Sequence, residues 1–214
     1  GMAPDEIVRQ IAPVGWFLVL GSLIEVWLIH RMPTQRGPQE DLRFDRRRYL
    51  RGQYLADNLR AAWSSHLIWL PIVGLGVFWG IAQVLLAVFP AFVEETTGVT
   101  NTVIIQGLMA FSGIGIIIGA ALAGRIARDH IEMGLIPIAA IGISVVLLLM
   151  PVISHSWLHG LNFLALGIMA GLFIVPLNAL IQFNAAEEEL GRVLAAKNFV
   201  LHWIMLGALA VTLV

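Results

Sequence analysis

The chain has 214 residues, of which 58% are hydrophobic and only 13% are charged. A soluble domain carries about 45–50% apolar and about 25% charged residues, so this chain has too little polar surface to cover itself with water. Its formal net charge of -1 excludes an overall basic field for nucleic acid, and the lack of cysteine excludes disulfide scaffolds and thiolate zinc sites. The composition therefore predicts an integral membrane protein.

Six long apolar segments approach the length needed to cross a bilayer. The hydrocarbon core is about 30 Å thick and a helix rises about 1.5 Å per residue, so one span needs about 20 apolar residues. Continuous apolar runs favour helices over barrel strands, in which polar and apolar positions alternate. The sequence predicts an all-α bundle with spans at residues 11–30, 67–89, 102–123, 135–153, 157–181 and 198–214.

The basic residues predict which side each connection occupies, because cytoplasmic loops retain Lys and Arg. The connection 31–66 holds eight of the thirteen basic residues, namely Arg31, Arg36, Arg43, Arg46, Arg47, Arg48, Arg51 and Arg60. Connections 124–134 and 182–197 also carry basic residues, whereas 90–101 and 154–156 carry none. We therefore expect residues 31–66 to be cytoplasmic. A chain that then begins outside the membrane, with no targeting sequence, is expected to lack an upstream portion.

The predicted organisation has three parts: a first span within residues 1–30, an arginine-rich connection at 31–66, and a bundle at 67–214. Within the connection, residues 47–65 place apolar side chains at helical spacing with charged side chains between them. Two interpretations stay open for this segment. It is either an amphipathic helix in the inner headgroup layer, with its cations facing anionic lipid, or a solvated linker that enforces topology.

Small residues and prolines mark where the spans pack and bend. Gly76 and Gly80, and likewise Gly115 and Gly119, are four apart on one helix face, a spacing that predicts close helix contacts. Three prolines lie in or near the ends of spans, where loss of a backbone hydrogen bond is expected to bend or break a helix: Pro71, Pro137 and Pro176.

Polar side chains inside a span are costly unless they are paired or used by a ligand. Each buried amide therefore either forms an interhelical hydrogen bond or contacts substrate. The amides assigned here as candidate substrate-binding residues are Gln83, Gln106, Asn178 and Gln182. Glu25 lies near the end of the first span, where it either reaches the interface or has a coupling-ion or gating role.

No catalytic constellation is present in the sequence. His155 and His159 have a spacing that can bind metal on a helix, but no third ligand is nearby, so an interfacial pair is favoured. There is no G-x-x-x-x-G-K-[ST] phosphate loop. We therefore predict a protein that is not an enzyme and that holds neither a metal nor a cofactor.

The segment from Gly119 to Arg128 resembles the second copy of the loop signature of the major facilitator superfamily, G-x-L-x-D-R-x-G-R-[RK]. Leu122, Arg125 and Arg128 fit the pattern, and the residues that depart from it are Ala120, Gly124 and Ala127. Four further segments are similar to the lysophospholipid transporter branch of that superfamily, which includes forms fused to an acyltransferase and an acyl-carrier-protein synthetase. They are residues 76–80, 131–137, 175–182 and 191–198.

The resemblance implies helices six to eleven of a twelve-helix transporter, with other helices missing and any fused enzymatic domain beyond Val214. It implies a protein that moves lysophospholipid across the bacterial inner membrane, whose partners are the bilayer and the lipid substrate. Gly119, Leu122, Arg125 and Arg128 would then form a loop signature involved in gating. The alternatives are an exporter of hydrophobic drugs and a non-transporting membrane module of a fused phospholipid acyltransferase.

Overall fold

The computed structural model describes residues 4–31, 45–127 and 131–212, and Arg128 lies outside them. The chain divides into two units, of which the first ends at Phe44 and the second begins at Asp45. In the first unit a single helix, α1, covers Pro4–Arg31 and includes the predicted span at 11–30. The Arg31 guanidinium lies 4.9 Å from the centre of the Trp27 ring, so a cation and an aromatic ring meet at the end of this helix.

The described part of the second unit contains helices and no strand. Two short helices come first, α2 at Arg46–Leu50 and α3 at Gln53–Trp63. Five helices that are long and apolar enough to cross a membrane follow. They are α4 (His66–Thr97), α5 (Thr102–Ile126), α6 (Leu135–Leu149, extended by a 3-10 turn at Met150–Val152), α7 (Ser156–Asn184) and α8 (Leu190–Val211). The predicted all-α membrane fold is confirmed.

Glycines bring the backbones of α5 and α7 into direct contact. A methyl group on Gly115 would lie 2.8 Å from the Gly167 Cα, and one on Gly171 would lie 2.7 Å from the Gly119 carbonyl carbon. Real side chains never approach that closely, so only glycine fits at these positions. The predicted stripe at Gly115 and Gly119 is confirmed. Its complement on α7, Gly167 and Gly171, is the half of the contact that the sequence analysis missed.

A second glycine pair packs α4 against α8. A methyl group on Gly76 would collide with the Ile204 side chain, and one on Gly80 would lie 3.3 Å from the Ala208 Cβ. Because Gly76 meets Ile204 and Gly80 meets Ala208, the two helices run parallel. The predicted close contact at Gly76 and Gly80 is therefore confirmed.

Several helix boundaries differ from those predicted. Helix α4 continues past Phe89 and through Pro90 to Thr97, and Gly98 ends it in the left-handed conformation at φ 70°. Helix α8 begins at Leu190, so the predicted connection 182–197 shrinks to residues 185–189. Hydropathy marks only the apolar part of a helix, whereas backbone hydrogen bonding continues into the polar interface.

None of the three prolines interrupts its helix, so the expected break is wrong, while the expected bend at each stays a prediction. Helix α4 continues through Pro71, and α7 continues through Pro176. Pro137 lies in the first turn of α6. Backbone N–H groups in the first turn of a helix have no intrahelical acceptor, so a proline there costs no helical hydrogen bond.

The arginine-rich connection contains packed helices over its described residues. The Asp45 carboxylate caps α2 by accepting a 2.8 Å hydrogen bond from the Arg47 N–H, and Gly52, at φ 67°, turns the chain into α3. Ala61 and Ala62 of α3 are buried in a cluster with residues of α4, α7 and α8. These contacts hold α3 against the spans, and its place in the inner headgroup layer stays a prediction. Helix α3, from the arginine-rich connection, packs at the end of the bundle where α4 and α8 begin and α7 ends. We call this end the arginine end.

Candidate substrate-binding site

The four candidate amides lie at different heights along the bundle. Contacts between α4 and α7 give the register of the two helices: the Phe78 and Phe173 rings are 5.9 Å apart, and Gly74 lies beside Leu177. Asn178 is therefore level with the Gly74 turn. Gln83 lies nine residues farther along α4, about 13 Å toward the opposite end.

The other two amides lie near opposite ends of the bundle. Gln106 is exposed in the second turn of α5, and Gln182 is exposed two residues before the end of α7 at the arginine end. The structure thus does not gather the four amides into one site. Their roles as substrate contacts stay predictions, and within the described residues Asn178 has a cationic neighbour, Lys197.

Lys197 and Asn178 form a polar pair between α8 and α7. The Lys197 Nζ donates a hydrogen bond of 3.0 Å to the Asn178 Oδ1. The Asn178 Nδ2 in turn donates to the Ile174 carbonyl at 2.9 Å, one turn earlier on the same helix. This second bond fixes the amide so that its oxygen faces Lys197.

The pair lies within the helical bundle. Lys197 is seven residues from the start of α8 and Asn178 is six residues from the end of α7, so each is about 10 Å from the arginine end of its helix. Both side chains are half-buried. A cation at such a depth is costly to hold and is a candidate functional group by default.

An apolar cluster borders the pair. The residues immediately before Lys197 and Asn178, Ala196 and Leu177, are both buried in it. The other buried members include Leu75, Ile181 and Val193. Because the pair is half-buried, water screens the ammonium only in part, and its interactions are stronger than those at a fully exposed position.

The sequence analysis does not identify Lys197 as a candidate site residue, because it places this lysine in the connection 182–197 and not in a span. The available signal was the spacing of Val193, Ala196 and Val200, apolar residues at helical intervals that extend the final span backward to Leu190. Lys197 is also the sole lysine in the chain. The pattern that identifies Lys197 is a single lysine within a segment whose apolar residues recur at helical spacing.

The residues of the signature segment lie on α5. Gly119 is buried against the backbone of Ile168, so its role in the structure is to let α5 and α7 approach. Leu122 and Arg125 are exposed on the last turns of α5, which ends at Ile126. The predicted inner connection at 124–134 is thus helical at its start. The gating role of these residues, and that of exposed Glu25 on α1, stay predictions.

An apolar cavity of about 680 Å³ opens near the arginine end. It lies between the end of α5, the last turns of α7 and the residues that lead into α6. The lining residues include Ala123, Ile131, Leu135, Pro176 and Phe183. Such a wall accepts a hydrocarbon chain and offers little to a small hydrophilic solute.

The two candidate histidines occupy different environments at the other end of α7. His155 is exposed just before the helix begins, whereas the His159 side chain is 0% exposed. The His159 ring lies edge-on to Phe89 at 5.5 Å and to Phe92 at 5.8 Å. Among residues 4–31, 45–127 and 131–212, no group of three His, Cys, Asp or Glu side chains is placed to hold a metal ion.

Comparison with known proteins gives one family and a set of relatives. A profile of the Major Facilitator Superfamily matches residues 11–208. The Lysophospholipid transporter LplT of Pectobacterium carotovorum is 30% identical over 142 residues, which cover 65% of this chain and 34% of that protein. The protein of the same name from Escherichia coli is 33% identical over 129 residues, 59% of this chain and 32% of that protein.

The matched segment corresponds to about a third of the length of these relatives. No solved structure matches the chain.

Proposed function

The chain belongs to the major facilitator superfamily, and on this premise we propose that the full-length protein moves lysophospholipid across the bacterial inner membrane. The observation that carries the proposal is the similarity, at 30–33% identity, to relatives named as lysophospholipid transporters. The relatives supply the substrate class, and the five candidate spans supply the membrane context.

The geometry supports an amphiphilic substrate. A lysophospholipid combines one acyl chain with a polar headgroup, and so needs a wide apolar surface with few polar groups. The described spans offer this combination: an apolar cavity of about 680 Å³, and at a similar depth the Lys197–Asn178 pair on another face of α7. A site for a small hydrophilic solute needs a denser set of polar groups.

The packing supports movement of these helices as a rigid unit. Alternating access in transporters of this type is rocking of one bundle against another around a site near the membrane midplane. Glycine contacts bring the α5 and α7 backbones together and let side chains of α8 pack onto the α4 backbone. Close backbone packing resists sliding, so we propose that α4–α8 move together and that substrate access changes at their outer surfaces.

Uptake by spheroplasts tests the proposal. A strain that lacks its own lysophospholipid transporter is supplied with the full-length protein, and accumulation of labelled lysophospholipid is measured beside efflux of a hydrophobic dye. We expect lysophospholipid uptake to appear and dye efflux to stay unchanged. Dye efflux without lysophospholipid uptake would instead favour the hydrophobic-drug exporter, which the apolar cavity also suits.

A further inference from the structure

We propose that the Lys197 ammonium binds the phosphate group of the lipid substrate, and that Asn178 is a positioning residue that holds the ammonium in place. This inference rests on the proposed function and adds the headgroup contact to it. It starts from the number of hydrogen-bond donors on Lys197. A lysine ammonium has three donors, and the Asn178 Oδ1 accepts one of them.

The remaining donors of Lys197 have no protein acceptor in the part of the chain that the structure describes. Within those residues no carboxylate oxygen lies within 4.0 Å of its Nζ. The nearby acidic run, Glu187 to Glu189, belongs to the connection before α8, about 12 Å or more of helix rise from Lys197. A cation held inside a bundle with only a neutral amide as partner retains most of its attraction for an anion.

Asn178 cannot supply that anion, but it fixes the direction of the ammonium. Its Nδ2 is tied to the Ile174 carbonyl at 2.9 Å, so only its oxygen is turned toward Lys197. The amide therefore anchors one donor and leaves two donors directed elsewhere. A phosphate ester has several oxygens, which are strong acceptors for such charge-assisted hydrogen bonds.

The surroundings select a phosphate that carries a hydrocarbon chain. Leu177 and Ala196, adjacent to the pair along the chain, are themselves buried in an apolar cluster. Half-buried apolar side chains packed on that cluster leave apolar surface exposed, and two of them, Ile174 and Leu201, lie one turn from Asn178 and Lys197 on the same helix faces. A lysophospholipid can place its phosphate on the Lys197 ammonium and its acyl chain on this apolar surface. Inorganic phosphate would give up part of its hydration shell and gain only the contact with the ammonium.

Protection of Lys197 from an amine-reactive reagent tests the inference on the unaltered full-length protein in detergent. The rate at which the peptide containing Lys197 becomes acylated is followed by mass spectrometry. We expect saturating lysophosphatidylglycerol to slow this reaction about tenfold, because the bound phosphate leaves only about a tenth of the ammonium free to react. The monoacylglycerol with the same acyl chain, which lacks phosphate, and glycerol 3-phosphate, which lacks the chain, should each have less than about a twofold effect.

Binding by variants gives a second readout. Lys197→Gln should weaken equilibrium binding of lysophosphatidylglycerol about tenfold or more, while leaving monoacylglycerol binding within about twofold. Lys197→Arg keeps the charge and should retain affinity within about threefold. Asn178→Ala should reduce the same headgroup preference by a smaller factor. Arg192→Gln, which removes an exposed cation from the same helix, is the matched control and should change nothing.

The outcomes separate the two levels of the proposal. Three results would overturn the phosphate contact but leave lysophospholipid transport standing. Monoacylglycerol could protect Lys197 as well as lysophosphatidylglycerol does, or Lys197→Gln could weaken the binding of both lipids equally. The third such result is that Lys197 stays reactive while lysophosphatidylglycerol is bound. Protection by glycerol 3-phosphate alone would assign the site to a free phosphate ester and overturn the lipid contact. Wild-type protein that neither binds nor takes up lysophosphatidylglycerol would contradict the proposed function itself. If Lys197→Gln does not fold, the protection experiment decides alone.

Discussion

Asn178 and Asn184 make the same local hydrogen bond on α7, but only Asn178 also contacts a cation. Each amide donates to the carbonyl four residues earlier, at 2.9 Å for Asn178 and 2.8 Å for Asn184. Asn178→Ala also removes the acceptor of Lys197, so we expect it to cost about 1.5–3 kcal/mol of stability. Asn184→Ala should cost under about 1 kcal/mol.

Thermal unfolding of the two alanine variants in detergent measures the difference. A Tm for Asn178→Ala that falls no further than the Tm for Asn184→Ala would show that the Lys197 contact adds nothing to stability.

Gly115 and Gly113 are two residues apart on α5 but face different surroundings. A methyl group on Gly115 would lie 2.8 Å from the Gly167 Cα, whereas one on Gly113 would meet nothing within 4 Å. Gly115→Ala must push α5 and α7 apart, so we expect a loss of about 1–3 kcal/mol. Gly113→Ala should be neutral or slightly stabilising, because alanine is the better helix former.

The yield of monodisperse protein and its Tm, compared between Gly115→Ala and Gly113→Ala, provide the measurement. If both variants behave as wild type, the close contact between α5 and α7 is not what holds these helices together.

Hydropathy is sufficient to locate the spans along the chain, but it does not predict the residues at which their helices end. The five predicted segments from residue 67 onward each fall largely within one long helix of the second unit. The ends differ because a helix continues through polar residues as long as its backbone hydrogen bonds do. That is why Lys197 proved helical, and why Pro90 lies inside α4.

Small residues hold the α3 helix on the bundle. Ala61 and Ala62 are buried at the arginine end, while Ala56 on the same helix is exposed. We expect Ala62→Asp to release α3 from the bundle, because a carboxylate at this position would be buried without a partner. The same change at Ala56 should have no effect.

Limited trypsin digestion at Arg60 measures that release. Trypsin cleaves after Arg60 only when the helix opens. The cleavage rate should therefore rise about tenfold or more in Ala62→Asp, which corresponds to a loss of at least about 1.4 kcal/mol of local stability. The rate in Ala56→Asp should stay unchanged. Equal rates in the two variants would contradict docking of α3 on the spans.

The sequence predicts the class of fold and the family of this chain, but it does not predict which polar side chains contact one another across the bundle. The amides Gln83, Gln106, Asn178 and Gln182, in or directly beside apolar segments, are equivalent at the level of the sequence. Only the register between helices separates them, since it places Asn178 beside Lys197 and Gln83 about 13 Å away along the bundle. That register depends on contacts between residues distant in sequence, such as Gly76 with Ile204, which no single helix encodes.

The side of the membrane on which Arg51 lies decides how the spans are oriented and which face of the membrane is nearer to Lys197. Side-specific labelling measures that side directly. Because the chain has no cysteine, Arg51→Cys and Ser154→Cys each add a single thiol to it at an exposed position. In intact cells, a membrane-impermeant maleimide should label the cysteine at position 154 and leave the one at position 51 unlabelled until the membrane is opened. Labelling of the cysteine at position 51 in intact cells would invert the bundle and contradict the cytoplasmic location of the arginine-rich connection.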